Sequence, residues 1–515
     1  MATPRRRRRS NASPRDREAM AGRIPQLPWK QPRNPYAPLK VISDDQVEAI
    51  HRASLRVLEE LGIELMSAEG RALFRAAGAQ VDEVSQIVRM EGALVEQLIS
   101  TAPSEFTLTS RNPDKALHMG GDSIAFGMVA GPPSVHDAVN GRRSGNMADY
   151  ENFTRLAHHF NAIHIIGNQV CAPVELPANS RHLDTYNANI SLSDLCFHAS
   201  AIGAGRATDA IRMQAIARGI SLAEIADSPG VTTIISVNSP RKFDDSMADG
   251  LIAMSRHGQP PVVTPFTLMG AMTPVTLAAG LTQQNAEALF GIALSQLANP
   301  GSPVVYGAYT SNVDMRSGAP AFGTPENTKA NIASGQLARR YGLPYRASPT
   351  SASNAVDAQA AYETQMAMWS CTLGHANLQY HAAGWMEGGL CASYEKFILD
   401  VEMIQHMTAF LDPIEIDEGT LAFEAMRDVP TGGHFFGSPH TMDRYETAFY
   451  QPMLSDWQNY ENWELSGAKT ATQRATDLWQ QALREYEQPA MEPAVREELD
   501  AYIATRKQEI GTGDP

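Results

Sequence analysis

The chain has 515 residues, 43% of them hydrophobic, and a formal net charge of -15 at pH 7. That length and apolar content suffice for one large buried core, and the acidic balance excludes a surface built to neutralise a nucleic-acid backbone. Cys171, Cys196, Cys371 and Cys391 are scattered, with no CxxC and no His-x-Cys spacing, so neither a disulfide framework nor a zinc site is signalled.

Residues 1–35 begin with an unbroken arginine run at positions 5–9, followed by Ser, Asn and Pro and then Arg15 and Arg17. Such a segment has nothing to bury and reads as a disordered basic tail, and no apolar stretch follows it as a secretory signal requires. A cytoplasmic location is the default expectation. Residues 36–118 read as a small helical region. Positions 43–48 have the look of a capped helix start, and apolar residues recur at helical spacing over 47–61 up to Gly62.

From residue 119 the pattern changes to short β-prone runs alternating with helical segments. The runs fall at 123–129, 163–171, 195–202, 231–237, 261–266, 303–309, 344–347 and 378–382; helical segments include 147–158, 207–218, 244–256, 277–297, 325–340 and 357–373. Eight such units within residues 119–410 predict an α/β chain folded as a closed (β/α)8 TIM barrel. No GxGxxG opens a helix after the first strand, which counts against a dinucleotide-binding fold. Residues 258–313 carry Glu287 as their sole charge, yet prolines and a Gln-Gln-Asn cluster divide them, so no membrane span is predicted. Residues 411–515 read as a helical C-terminal extension, with 468–486 as one amphipathic helix. Trp457, Tyr460 and Trp463 are expected to bury against the barrel or another subunit.

Barrels of this class carry their chemistry at the C-terminal ends of the strands. Those positions are rich in Gly, Asn, Ser, Thr and aromatics and contain few charges, with no lysine or carboxylate pair that would announce Schiff-base, aldol or glycosidase chemistry. Phe266, Tyr306, Tyr309, Tyr362, Tyr380 and Trp385 offer ring faces suited to a quaternary ammonium, each contact contributing about 0.5–2 kcal/mol. His381 ends the eighth strand, either as a satisfied core histidine or as a group that orients a substrate. Glu387, in the Gly-rich loop beyond, either balances a substrate cation or caps a helix. Asp357 reads as the N-cap of a helix carrying Gln359 and Glu363, which places Gln359 in the first turn, facing the mouth.

Three blocks carry a resemblance: positions 353–363 (SNAVDAQAAYE), positions 382–390 (AAGWMEGGL), and the C-terminal GGHF at 432–435 with His440-Thr441 and Trp463-Glu464. Together they resemble the trimethylamine methyltransferase family over nearly all of the chain from residue 36 onward. The resemblance implies a barrel that takes a methyl group from a methylated amine and passes it to cobalamin held by a separate corrinoid protein, with no cofactor bound tightly by this chain. Archaeal trimethylamine enzymes are known for pyrrolysine, and the resemblance puts that residue at Gln359. Glutamine cannot form the electrophilic adduct that activates a tertiary amine. A quaternary amine needs no such activation because it departs as a neutral tertiary amine, so glycine betaine, carnitine or proline betaine fit better than trimethylamine.

The expected mechanism is in-line displacement, with one methyl of the bound ammonium pointing out of the mouth towards the partner's Co(I). In it Trp385, Tyr306 and Phe266, with Tyr309 and Tyr362, cradle the cation. His381 and Gln359 orient the substrate's polar end, and Glu387 supplies compensating charge. Two alternatives stay open: a methyltransferase with a sulfonium donor or folate acceptor, and a non-catalytic barrel that binds betaine. The amine substrate, the corrinoid protein and a possible homo-oligomer are the expected partners, with no membrane and no nucleic acid.

Overall fold

The computed structural model describes residues 23–511. Eight parallel strands close a barrel: β1 (Ala125–Met128), β2 (Ile165–Ile166), β3 (Cys196–Ala199), β4 (Val231–Ile235), β5 (Pro261–Val263), β6 (Val305–Gly307), β7 (Tyr345–Ala347) and β8 (Leu378–Ala383). Each strand lies beside the next in sequence, and β8 returns to pair with β1. A helix follows every strand in turn: α1 (Met147–His159), α2 (Arg181–Leu192), α3 (Ala204–Arg218), α4 (Asp245–Arg256), α5 (Leu277–Ala298), α6 (Pro325–Arg340), α7 (Ala358–Leu373) and α8 (Tyr394–Phe410).

Strand alternation sorts the side chains into two layers. Val305 of β6 joins Ala125, Ile165, Cys196, Val262, Leu378 and Tyr380 in the barrel interior. Its neighbour Tyr306 belongs to the layer between strands and helices. The long helix α5 is buried along most of its length, which explains why its sequence is nearly uncharged.

The region before the barrel is mixed rather than helical throughout. Helices Asp44–Arg56, Ala68–Ala76 and Gly92–Ile99 alternate with strands Ile63–Leu65, Gln80–Asp82 and Ile87–Arg89, which form a small sheet with Lys242–Phe243. The expected capped start is present: Ser43 and Gln46 make a reciprocal capping box. Residues 23–35, assigned from composition to the tail, form an ordered strap across the N-terminal end of the barrel. Trp29 packs edge-on against His164, the Lys30 carbonyl meets His164 Nε2 at 2.9 Å, and the Asn34 side chain donates to the Thr372 carbonyl at 2.8 Å. Apolar Ile24 and Trp29 give this part of the segment something to bury, which the arginine run lacks. That run, at positions 5–9, lies outside the described residues.

Beyond α8, helix Ala471–Glu485 packs on α8 and α1, and helix Pro493–Ile510 packs on α3 and α2. The barrel does not cover two aromatics between α8 and Ala471: Trp457 is 68% and Tyr460 66% exposed.

Two short sheets stand on the C-terminal rim. One pairs Phe266–Met269 with Tyr309–Val313 and Pro320–Ala321, and the other orders Trp385–Met386, Cys391–Ser393, Ser134–Asp137 and Gly141–Ser144. They wall the mouth with side chains from the loops after β5, β6, β8 and β1.

Candidate active site

The two rim sheets bring one group of rings together. Phe266 and Tyr309 are paired across their sheet, with centroids 5.0 Å apart, and Phe322 stacks on Tyr309 at 5.2 Å. Trp385 meets Tyr309 edge-on at 6.2 Å and lies 4.2 Å from the His381 ring. Tyr380, below them in the barrel, lies 4.4 Å from His381 and is crossed by His198 at 4.3 Å.

His381 reaches this position through an irregular backbone. Its φ of +65° is in the left-handed region within β8, where the register against β1 shifts between Gln379 and Ala383. A non-glycine residue held there costs on the order of 1–3 kcal/mol, and such bulges re-aim side chains beside functional sites. Nδ1 accepts from Ser348 Oγ at 3.1 Å and from Arg346 Nη2 at 3.3 Å. Burial, with the charges of Arg346 and His198, pulls the imidazole pKa well below its ordinary 6.5.

Arg346, on β7, has its guanidinium carbon 5.2 Å over the Tyr309 ring and 5.4 Å over Tyr380. Nothing in the sequence reading singled it out, although a single charge inside an otherwise uncharged run at 344–347 was a visible signal. Phe322 and Ser348 were equally unforeseen.

Below the mouth, two carboxylates hold loops. Glu363 Oε2 accepts from Ser351 Oγ (2.7 Å) and from the backbone N–H groups of Ala352 (2.9 Å) and Ser353 (3.1 Å). Its other oxygen accepts from Gln359 Nε2 at 2.8 Å. Asp400 forms a buried ion pair with Lys396 and accepts from the Gly384 N–H at 2.8 Å, just before Trp385. Gly389 is required where it sits: with φ at +106°, a Cβ there would lie 2.5 Å from the Trp385 ring.

Among the residues expected at the site, Phe266, Tyr309, His381 and Trp385 converge. Gln359 is in the first turn of α7, capped by Asp357 as expected, but it is exposed and turned to Glu363, and no contact joins it to His381 or Trp385. Tyr306 points away from the mouth, its hydroxyl bonded to Gln284 and Asn285 of α5, because alternation in β6 sends it outward. Tyr362 is 62% exposed on the outer side of α7. Both Glu387 carboxylate oxygens accept from the single Arg142 Nε–H, at 3.1 and 3.0 Å, so its charge is already compensated within the chain. Two surface clefts, of about 450 Å³ beside Arg212 and Tyr502 and about 420 Å³ beside Lys40 and Arg340, contain none of these residues. Among the described residues no helix is long and apolar enough to cross a membrane.

Comparison with known proteins gives the chain's family by sequence. The profile of the Trimethylamine methyltransferase (MTTB) family matches residues 5–511. The glycine betaine methyltransferase of Desulfitobacterium hafniense (strain Y51) is 37% identical over 472 residues, 92% of this chain and 98% of that protein. The trimethylamine methyltransferase MttB of Desulfitobacterium hafniense (strain DSM 10664 / DCB-2) is 29% identical over 472 residues, 91% of this chain and 94% of that one. Among solved structures, the Methanosarcina barkeri monomethylamine methyltransferase (MtmB) aligns with a TM-score of 0.48 and 11% identity, covering 86% of this chain and 93% of that one. The chain belongs to the trimethylamine methyltransferase family and is a methyltransferase.

Proposed function

We propose that this chain removes a methyl group from a quaternary amine of the glycine betaine type and delivers it to a corrinoid carried by a partner protein. The observation that carries the proposal is the ring cluster of Phe266, Tyr309, His381 and Trp385 at the C-terminal rim, where catalytic groups of barrels gather. Aromatic faces in a site shielded from water suit a permanently charged ammonium, whose methyl groups cannot hydrogen-bond. The glycine betaine methyltransferase noted above supports the choice of substrate.

A reduced corrinoid supplies the nucleophile when it is brought to the mouth. The chain's own work is to bind and align. Trp385, Tyr309 and Phe266 hold the ammonium, while His381, fixed by Ser348 and Arg346, gives the substrate's polar end a neutral donor. Positioning of this kind, with water excluded, contributes roughly 7–11 kcal/mol at best. The leaving group departs as a neutral tertiary amine, so no proton has to be moved in the transfer step.

The test is to incubate the purified chain with glycine betaine and a reduced corrinoid protein, then look for dimethylglycine by mass spectrometry. Its formation, absent without the chain, supports transfer. Tight betaine binding without product would favour a non-catalytic binding barrel.

A further inference from the structure

Buried charges in this protein are either ion-paired or, like Glu287, Glu363 and Glu395, held by several hydrogen-bond donors. Lys396 has Asp400, Arg143 has Asp137 and Asp149, and Asp209 has Arg506. Arg346 breaks the pattern. It is 1% exposed, no ion pair to a carboxylate is found for it among the described residues, and the ionisable groups that bear most on it are Tyr309, Tyr380, Cys371 and Tyr345. Of a guanidinium's five N–H groups, one reaches the Ala308 carbonyl and one His381 Nδ1, both at 3.3 Å, while Nε has no partner. An arginine cannot shed its proton to escape burial, and a buried charge without a counter-ion is expensive. Its occurrence inside the ring cluster calls for an anion that arrives from outside.

The surrounding groups are donors as well. Because the guanidinium can only donate, His381 Nδ1 must be the acceptor, and the proton of the neutral imidazole is on Nε2. Trp385 Nε1 is buried without a partner. A cluster that combines ring faces with an unpaired guanidinium and neutral N–H donors is complementary to a zwitterion: ammonium against the rings, carboxylate against the donors.

We infer that Arg346 is the specificity-determining residue of this site, binding the carboxylate of a zwitterionic quaternary amine and repelling amines that lack one. This rests on the proposed quaternary-amine chemistry and narrows it to betaines, with a carboxylate one or a few carbons from the nitrogen. Selection by repulsion is as important here as attraction. A plain cation entering the cluster meets Arg346 with nothing to neutralise it.

The experiment is isothermal titration of glycine betaine and of tetramethylammonium into wild type, Arg346→Met and Arg346→Lys, alongside methyl-transfer assays with reduced corrinoid protein. Wild type is expected to favour betaine. Arg346→Met should weaken betaine on the order of 100-fold and strengthen tetramethylammonium, with Arg346→Lys between the two for betaine. A folding defect would weaken both ligands together, and thermal melts report it separately. Unchanged betaine preference in Arg346→Met, equal loss of both ligands, or no betaine binding in wild type overturns the assignment. Betaine bound through Arg346 with no methyl transfer would instead remove the transfer reading and leave this assignment standing.

Discussion

Arg346 Nη2 lies 3.3 Å from His381 Nδ1, and since a guanidinium has no acceptor, this contact fixes the tautomer of the histidine and keeps it neutral. Burial and the neighbouring cation act in the same direction on its pKa, which is lowered well below 6.5. In the unfolded chain the imidazole gains a proton as pH falls through about 6.5, whereas the folded chain resists. Stability from this residue is therefore complete above that pH and is lost as pH falls below it towards the folded pKa. His381→Gln should flatten the fall by up to about 1.4 kcal/mol per pH unit. Urea titrations of both proteins at pH 7.5 and pH 5.5 read the difference. Parallel curves would show that His381 is protonated as easily in the fold as out of it.

Glu363 is the acceptor that shapes the loop after β7, with three donors from residues 351–353 on one oxygen. Glu363→Ala leaves the Ala352 N–H and the Ser351 hydroxyl without their acceptor, and the Ser353 N–H with Ser351 Oγ alone. A loss of about 2–3 kcal/mol in unfolding free energy is expected, by the usual worth of hydrogen bonds to a charged group. Betaine affinity should fall with it, because the Glu387 and Gly388 N–H groups bond to the Ser353 and Ser351 carbonyls and so tie the Trp385 loop to this one. Chemical denaturation and calorimetric titration check the two effects.

Lys396 and Asp400 are both fully buried and support Gly384 beneath the mouth. Lys396→Met strands a carboxylate in the core and is expected to cost about 3–5 kcal/mol. Adding Asp400→Asn should recover much of that loss, since the neutral amide oxygen still accepts from Gly384. A double variant as unstable as the single one in urea unfolding would mean that the ion pair is not the source of the cost.

Gly389 allows Trp385 to lie where it does. Gly389→Ala forces a Cβ to within 2.5 Å of the indole at a φ of +106°, so the ring must move. The expected result is a shift in tryptophan fluorescence and a fall in betaine affinity of about tenfold, equivalent to about 1.4 kcal/mol, with the barrel's circular dichroism unchanged. Wild-type affinity in this variant would remove Trp385 from the ligand site.

The barrel was legible because its strands are short β-prone runs set apart by helices, and that alternation survives in the sequence. Two of its helices were less so. α8 buries Glu395, Lys396, Asp400 and Glu402, which interrupts an apolar stripe, and α2 buries His182, Thr185 and Asn189. The rim sheets were invisible, since strands of two to five residues carry no period. At the site, Tyr306 and Tyr309 look equivalent in a run read as one strand, yet they end on opposite sides of the barrel wall. Arg346 was passed over because the strand ends as a group read as uncharged. Glu387 reads in sequence as balancing a substrate cation or capping a helix, because its partner Arg142, 245 residues earlier, comes near only through the rim sheet.

The central claim is that the ring cluster serves an amine already carrying its fourth substituent. The direct measurement is the cobalt absorption of a reduced corrinoid acceptor, followed as the purified chain is given glycine betaine in one cuvette and trimethylamine in another. The spectral change of methylation is predicted with glycine betaine and not with trimethylamine. Equal rates with both amines, or no change with any quaternary amine, would contradict it.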